Sequence, residues 1–170
     1  LGIVKSHGGF IRVYSEAGMG TKFSVYLPAQ TITETAHDAP AQIELPRGHG
    51  ELILVIDDET AVRQITRHTL EAFGYRVLLA ADGTEAVALF ASRMQEVAAV
   101  LTDMMMPVMD GPMTIMVLRR MQPQVHILAA SGLSTSGMVE KAASAGVRHF
   151  LPKPYTAEVM LQALKKTLQD

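Results

Sequence analysis

The chain has 170 residues, of which 48% are hydrophobic and 19% are charged, and it carries a formal net charge of −2 with a mean hydropathy of +0.19. This composition is typical of a soluble globular protein, and the lack of a basic run or a net positive charge argues against a nucleic-acid-binding protein. No apolar run approaches the roughly 20 residues of a membrane-spanning helix, and the chain has no cysteine, which excludes disulfides, thiolate metal sites and cysteine nucleophiles and fits a cytoplasmic location.

The first 28 residues predict a short helical end followed by a β-hairpin. After the segment LGIVKSHGG, residues 10–27 form two alternating strand patterns on either side of the turn sequence EAGMGT. A lone two-stranded hairpin is only marginally stable in water, and the sequence begins with Leu1 rather than methionine. We therefore expect the chain to be a piece of a longer protein.

A change in composition follows the hairpin. Residues 29–50 are rich in alanine, threonine, proline and small polar residues and show no sustained hydrophobic period. This composition predicts a linker. We expect a second and larger unit over residues 51–170.

Residues 51–170 alternate between strand and helix patterns. Asp82 and Asp110 are predicted helix N-caps, with Glu85 placed for a capping box and Pro112 for the first turn. Five β–α units in succession predict a five-stranded parallel sheet with helices on both faces, a doubly wound α/β fold, because each crossover is right-handed and covers the sheet. The predicted strands are 52–56, 75–80, 97–102, 124–130 and 147–151, and the predicted helices are 59–74, 82–94, 111–121, 135–146 and 156–169.

Residues capable of chemistry follow four of the predicted strands. Asp57 and Asp58 follow the first strand, Asp103 the third, Ser131 the fourth and Lys153 the fifth. Sites in doubly wound sheets form at the carboxyl ends of the strands. If the strand order is 2-1-3-4-5, the first and third strands are neighbours and the three carboxylates converge.

Three crowded carboxylates repel one another unless a cation lies among them. A hard divalent ion with oxygen ligands, Mg²⁺, meets this requirement. Lys153 and Ser131 would then supply an ammonium and a hydroxyl on the far side of Asp103, where they can bind the oxygens of a transferring phosphoryl group. We therefore expect Asp103 to act as a nucleophile toward phosphorus.

Each of these residues also has an ordinary structural explanation. A single aspartate after a strand is more often a solvated loop residue or a helix N-cap, a single lysine usually lies on the surface, and a serine before glycine usually belongs to a turn. Methionines in a run are usually adaptable packing residues. The chemical interpretation depends on all five residues falling at strand ends in the right order.

The second unit resembles a response-regulator receiver domain, which has a flavodoxin-like fold. The segments that carry this resemblance are ILVIDDE, LTDMMMPVMDG, AASG and FLPKPY. The resemblance implies that Asp103 is the phosphoacceptor, that Asp58 and Asp103 ligate Mg²⁺ directly, and that Asp57 assists, often through water. It also implies that the main-chain carbonyl of Met105 is a further metal ligand.

The same resemblance assigns the remaining site residues. Lys153 and Ser131 would contact the phosphoryl group, and Ser131 and Phe150 would form the conformational switch. We also expect the Lys153-Pro154 bond to be cis, because the lysine must turn back toward the phosphoacceptor and an X-Pro bond adopts cis for roughly 0.5–1 kcal/mol.

Residues 1–28 resemble the end of a histidine-kinase ATP-binding domain, through HGG, SEAGMGT and the closing F-V-LP pattern in that order. The resemblance implies a hybrid sensor histidine kinase with a C-terminal receiver. The chain lacks sequences that resemble the asparagine-bearing helix, the lid glycines and the acceptor-histidine helix. We therefore expect only receiver phosphorylation and dephosphorylation, no ATP site, no membrane contact by this piece, and any membrane anchor to lie upstream.

The implied partners are a phosphohistidine donor, from the upstream kinase core or another kinase, and a histidine phosphotransfer protein. Two alternatives stay open on the sequence. A haloacid-dehalogenase-type phosphatase uses similar residues but places its nucleophile in a DxD pattern on the first strand, where this chain has DD. A pseudo-receiver that only binds proteins would lack one of the five site residues, and none is missing.

Overall fold

The computed structural model describes residues 2–29, 45–132 and 136–170. Contacts divide these residues into two units, one that contains residues 2–29 and one that contains the rest. No helix in these described ranges is long and apolar enough to cross a membrane.

The first unit contains the predicted hairpin. A short helix α1 (Gly2–Ser6) precedes strands β1 (Phe10–Glu16) and β2 (Gly20–Tyr26), which pair antiparallel. The rings of Phe10 and Tyr26 stack across the open end of the hairpin with centroids 4.6 Å apart. Gly18 and Gly20 have φ values of 80° and 92°, so the turn uses backbone conformations that favour glycine.

The second unit is a parallel sheet with helices on both faces. Its sheet order is β4-β3-β5-β6-β7, and every neighbouring pair is parallel. The predicted fold class and the order 2-1-3-4-5 are therefore confirmed. The elements are β3 (Leu52–Ile56), α2 (Thr60–Ala72), β4 (Arg76–Ala80), α3 (Gly83–Arg93), β5 (Val97–Asp103), α4 (Gly111–Met121), β6 (His126–Ser131), α5 (Ser136–Ser144), β7 (His149–Pro152) and α6 (Ala157–Gln169).

Alternating side chains of the strands build one core on each face of the sheet. Because both faces are covered, β3 is buried along its whole length and its sequence LILVI is a continuous apolar run. On one face, Leu54 and Ile56 belong to a cluster with Phe90 of α3 and Ile115 of α4. On the other face, the strands pack with apolar residues of α2 and α6, including Leu70, Leu161 and Leu164.

The predicted N-caps begin two of the helices. The Asp82 side chain accepts hydrogen bonds from the main-chain N–H groups of Thr84 and Glu85 at 2.8 and 2.9 Å, and that of Asp110 accepts from Met113 N at 2.9 Å. The Glu85 carboxylate reaches back to Ala81 N at 2.7 Å. These contacts satisfy N–H groups that have no partner within the helix.

Residues 45–50, at the end of the predicted linker, belong to the second unit, where they contact the residues that follow α2. Gly48 N donates to Phe73 O at 2.8 Å, and Gly50 N donates to Gly74 O at 3.0 Å. The Arg47 guanidinium lies 5.7 Å from the centroid of the Phe73 ring, a cation–π distance. A side chain at Gly48 would collide with the ring of Tyr75, so glycine permits this close approach.

Candidate functional site

The polar side chains of interest lie at one edge of the sheet. The chain leaves β3 into Asp57 and Asp58, β5 ends at Asp103, β6 ends at Ser131, and β7 is followed directly by Lys153. Because all five strands are parallel, these ends share the carboxyl edge. The sheet order therefore brings together residues that are up to 96 positions apart in the sequence.

Three carboxylates converge at this edge. Asp57, Asp58 and Asp103 each offer an oxygen atom, and these atoms all lie within 4.8 Å of one another. Asp57 and Asp103 are buried, with 4% and 9% of their surface exposed, whereas Asp58 is exposed. The convergence expected from the strand order is therefore present in the described structure.

Main-chain N–H groups fix the two buried carboxylates. Asp103 Oδ1 accepts from Met104 N at 2.7 Å and lies 3.4 Å from Met105 N, and Asp57 Oδ1 accepts from Glu59 N at 2.9 Å. These bonds give each buried carboxylate hydrogen-bond partners in the main chain. One oxygen of each carboxylate is therefore held by the backbone.

Lys153 binds the other oxygen of both buried carboxylates. Its Nζ donates to Asp103 Oδ2 at 2.8 Å and to Asp57 Oδ2 at 3.0 Å. Burial lowers the pKa of Lys153, but its hydrogen bonds to Asp103 and Asp57 more than offset this, so the pKa of Lys153 is raised. The lysine is thus a fixed cation between two strand ends.

The backbone around Lys153 holds this ammonium in place. Lys153 N donates to Ser131 O at 2.8 Å, and the Lys153-Pro154 bond is cis, as expected. Tyr155 follows, and burial raises the pKa of its hydroxyl. The loop after β7 is therefore fastened to β6 through the main chain.

Ser131 and Phe150 lie on adjacent strands. Asp103 pairs in register with Ala130, so Ser131 lies one residue beyond the level of Asp103 on the neighbouring strand. Ser131 is half-buried. Phe150 pairs in register with Ala129 and packs, half-buried, against the core cluster on the side of α3, α4 and α5.

The methionines after Asp103 divide between the core and the surface. Met104 and Met106 are buried, with 0% and 8% exposure, whereas Met105 is 52% exposed. Gly111 N donates to Met104 O at 3.2 Å and closes the loop back onto β5. An added Cβ at Gly111 would lie 2.5 Å from Asp103 O, so glycine is required for this close approach.

Arg63 was missed by the sequence reasoning. Its Nη1 donates to the main-chain oxygen of Asp57 at 2.6 Å, and its Nη2 donates to Thr60 Oγ1 at 3.0 Å. An arginine near the start of a helix that follows an acidic pair indicates a contact with that pair only if the path of the intervening loop is known.

The comparisons with known proteins agree with this geometry. Residues 53–165 match the family model described as the response regulator receiver domain. The chain is 32% identical to the sensor kinase CckA of Brucella abortus (strain 2308), over 99% of this chain and 18% of that protein. It is 36% identical to the response regulator MprA of Mycobacterium sp. (strain KMS), over 69% of this chain and 50% of that protein.

Solved structures show the same fold. A response regulator receiver domain protein from Clostridium thermocellum has a TM-score of 0.67 and 29% identity, covering 69% of this chain and 94% of that chain. The chemotaxis protein CheY4 of Vibrio cholerae has a TM-score of 0.65 and 28% identity, covering 69% and 98%.

The chain spans about a fifth of CckA and half of MprA, and the family model covers most of its second unit. The chain therefore belongs to the response regulator receiver domain family, whose members in two-component systems receive phosphoryl groups from histidine kinases.

Proposed function

We propose that Asp103 accepts a phosphoryl group from a phosphohistidine, with Mg²⁺ bound at the adjacent carboxylates. The observation that carries this proposal is the position of Lys153, whose Nζ contacts Asp103 and Asp57 while Asp58 completes a carboxylate cluster. A nucleophilic carboxylate, a fixed ammonium and oxygen donors for a divalent ion are the parts that phosphoryl transfer requires.

The donor set fits Mg²⁺. Three carboxylates with oxygen atoms within 4.8 Å of one another are hard, anionic ligands, and Mg²⁺ prefers oxygen ligands and keeps several of its waters. We assign Asp58 and Asp103 as direct ligands, Asp57 as a ligand through water, and the Met105 carbonyl as a further ligand. When bound, Mg²⁺ would offset the negative charge of the carboxylates and the phosphoryl oxygens.

The transfer step uses the carboxylate of Asp103. One of its oxygens attacks phosphorus in line with the phosphorus–nitrogen bond of the donor. The new phosphorus–oxygen bond forms as the phosphorus–nitrogen bond breaks, and the electron pair of the broken bond stays on the imidazole nitrogen. Lys153 and Ser131 bind the phosphoryl oxygens and stabilise the charge that they carry.

The switch residues follow from this chemistry. A phosphoryl group on Asp103 would draw the Ser131 hydroxyl toward it, because the two positions are adjacent across β5 and β6. The space vacated by Ser131 would then admit Phe150, which has no hydroxyl and is held inward by packing alone. The surface formed by α5, β7 and α6 changes shape as a result.

The donor we propose is a histidine kinase, and residues 1–28 are the closing hairpin of its ATP-binding domain. Support comes from the alignment with the sensor kinase CckA, which covers 99% of this chain, including the hairpin. We propose that the receiver follows the kinase core within a hybrid kinase and exchanges its phosphoryl group with a histidine phosphotransfer protein.

Phosphoramidate, a small donor with a phosphorus–nitrogen bond, tests this proposal. The chain is incubated with phosphoramidate and Mg²⁺ and its intact mass is measured, with Asp103→Asn as the inactive variant and Asp110→Asn as a matched aspartate control in the same loop. We expect one phosphoryl group per chain in wild type and in Asp110→Asn, and none in Asp103→Asn. Steady turnover of p-nitrophenyl phosphate would instead show a phosphatase, and an unmodified chain would show a pseudo-receiver.

A further inference from the structure

Arg63 joins the end of β3 to the beginning of α2. Its Nη1 donates to the main-chain oxygen of Asp57 at 2.6 Å, and its Nη2 donates to Thr60 Oγ1 at 3.0 Å. Between these two anchor points lie only Asp58 and Glu59. The guanidinium therefore spans the loop that carries two of the three clustered carboxylates.

The start of α2 lacks a side-chain cap. The N-cap of α2 is Glu59, whose side chain makes no capping hydrogen bond, in contrast to the aspartate caps of α3 and α4. The Asp57 side chain accepts from Glu59 N at 2.9 Å. Lys153 Nζ also contacts Asp57 Oδ2 at 3.0 Å. Arg63 adds a constraint that joins both ends of the loop, since its planar fork contacts the Asp57 carbonyl and the Thr60 hydroxyl.

The charge of Arg63 and its hydrogen bonds have opposite effects on a divalent cation. A guanidinium beside the carboxylates repels the cation, so its charge alone weakens binding. Its hydrogen bonds hold Asp57 and Asp58 in one geometry, so they strengthen binding. Whether the affinity for Mg²⁺ falls or rises when Arg63 is replaced therefore shows which of the two effects is larger.

We infer that Arg63 is a positioning residue that holds the Asp57–Asp58 loop in the geometry that binds Mg²⁺. This inference rests on the proposed Mg²⁺ site. We expect the hydrogen-bond effect to exceed the repulsion because the guanidinium contacts the main-chain carbonyl of one ligand residue directly.

The test is a calorimetric titration of the chain with Mg²⁺. Arg63→Met is compared with wild type, and Arg67→Met, which removes an identical charge one turn further along α2, is the control. Arg67 contacts Glu71 at 2.8 Å rather than the acidic loop. We expect Arg63→Met to weaken Mg²⁺ binding by about 10-fold or more and Arg67→Met to leave it nearly unchanged. We expect Arg63→Lys, which keeps the repelling charge but lacks the fork, to bind Mg²⁺ at least as weakly as Arg63→Met.

Urea unfolding in EDTA shows whether each variant is folded, and Arg63→Gln, which keeps a donor for the Asp57 carbonyl, replaces Arg63→Met if the latter is unfolded. Equal or tighter Mg²⁺ binding by the folded Arg63 variant would overturn the inference and leave the proposed function intact. Failure of wild type to bind Mg²⁺ would overturn both the inference and the metal site.

Discussion

Lys153 Nζ lies 2.8 Å from Asp103 Oδ2, although the two residues are 50 positions apart in the sequence. The contact joins the loop after β7 to the end of β5, and a second contact to Asp57 extends it to β3. Burial lowers the pKa of Lys153, but the hydrogen bonds to Asp103 and Asp57 raise it further, so its folded pKa lies above the ordinary value.

The raised pKa of Lys153 predicts a loss of stability at alkaline pH. Because the folded pKa exceeds the unfolded value, the stabilisation is complete below about pH 10.4 and is lost as pH rises through the folded pKa. Urea unfolding of wild type and Lys153→Met from pH 8 to 11.5 measures this difference. The difference in unfolding free energy between wild type and Lys153→Met should narrow as pH rises. The difference between wild type and Lys166→Met, on the exposed part of α6, should stay constant. A Lys153→Met gap that is constant or widens with pH would contradict the account.

We expect that replacing Val108 stabilises the protein. Its φ is 66°, the only positive value that the described part of the chain shows at a residue other than glycine, and its side chain is 92% exposed. A β-branched residue in this region is strained by roughly 1–2 kcal/mol, and exposure leaves no packing to offset the strain. Val108→Asn should raise the free energy of unfolding by about 0.5–1 kcal/mol.

Chemical denaturation with Val108→Ala as control checks this. Alanine removes the β-branch of valine but lacks the short polar side chain with which asparagine hydrogen-bonds the local backbone in the left-handed conformation, so it should gain less than asparagine. An asparagine variant no more stable than wild type would show that the strain is absent in solution.

Met105 and Leu133 predict a slow loss of the phosphoryl group from Asp103, the phosphoacceptor that we propose. Met105 is exposed two positions after Asp103, and Leu133, two positions after Ser131, lies outside the described residues. Both are apolar, so neither can orient a water for attack on phosphorus, and both can exclude it. The combined variant Met105→Asn and Leu133→Glu should lose the phosphoryl group faster by on the order of 10-fold, below the ~10²-fold of a full general base.

The decay is followed by intact mass spectrometry with Mg²⁺ present after the donor is removed. Ordinary loop residues with no kinetic role would give the same decay in both proteins. Unchanged or slower decay in the variant would remove Met105 and Leu133 from the account.

Beryllofluoride mimics the phosphoryl group, so we expect it to change the conformation around the proposed switch residues Ser131 and Phe150. Amide resonances of residues 134–156 should shift on addition of beryllofluoride and Mg²⁺, because Ser131 ends β6 and Phe150 lies within β7. Residues 86–93 of α3 serve as the internal reference. The coupling is wrong if the 134–156 amides do not move when the complex forms.

Much of the fold could be predicted from local patterns. The LILVI run predicts β3, the aspartates predict two helix starts, and five alternating units predict the parallel sheet. The ends of the elements are predicted less accurately. The helix predicted over 59–74 ends at Ala72, because Phe73 leaves the helical conformation and Gly74 has a φ of 89°. The strand predicted over 124–130 is observed as His126–Ser131.

The candidate site divides in the same way. Strand order alone brings Asp57, Asp58 and Asp103 together, because parallel strands end at one edge. Contacts made by long side chains could not be predicted, since they depend on loop paths: Lys153 bridges two carboxylates rather than one, and Arg63 reaches back to a carbonyl. The positive φ of Val108 is equally hidden, because valine ordinarily avoids that conformation.

Borohydride trapping tests the central claim most directly. The chain is treated with phosphoramidate and Mg²⁺ and then reduced with borohydride, which converts an aspartyl phosphate to homoserine, and the digested peptides are sequenced by mass spectrometry. The account predicts homoserine at position 103 in wild type and in Asp110→Asn, and none in Asp103→Asn. Homoserine at position 57 or 58, or a wild-type chain with aspartate unchanged at position 103, would contradict it.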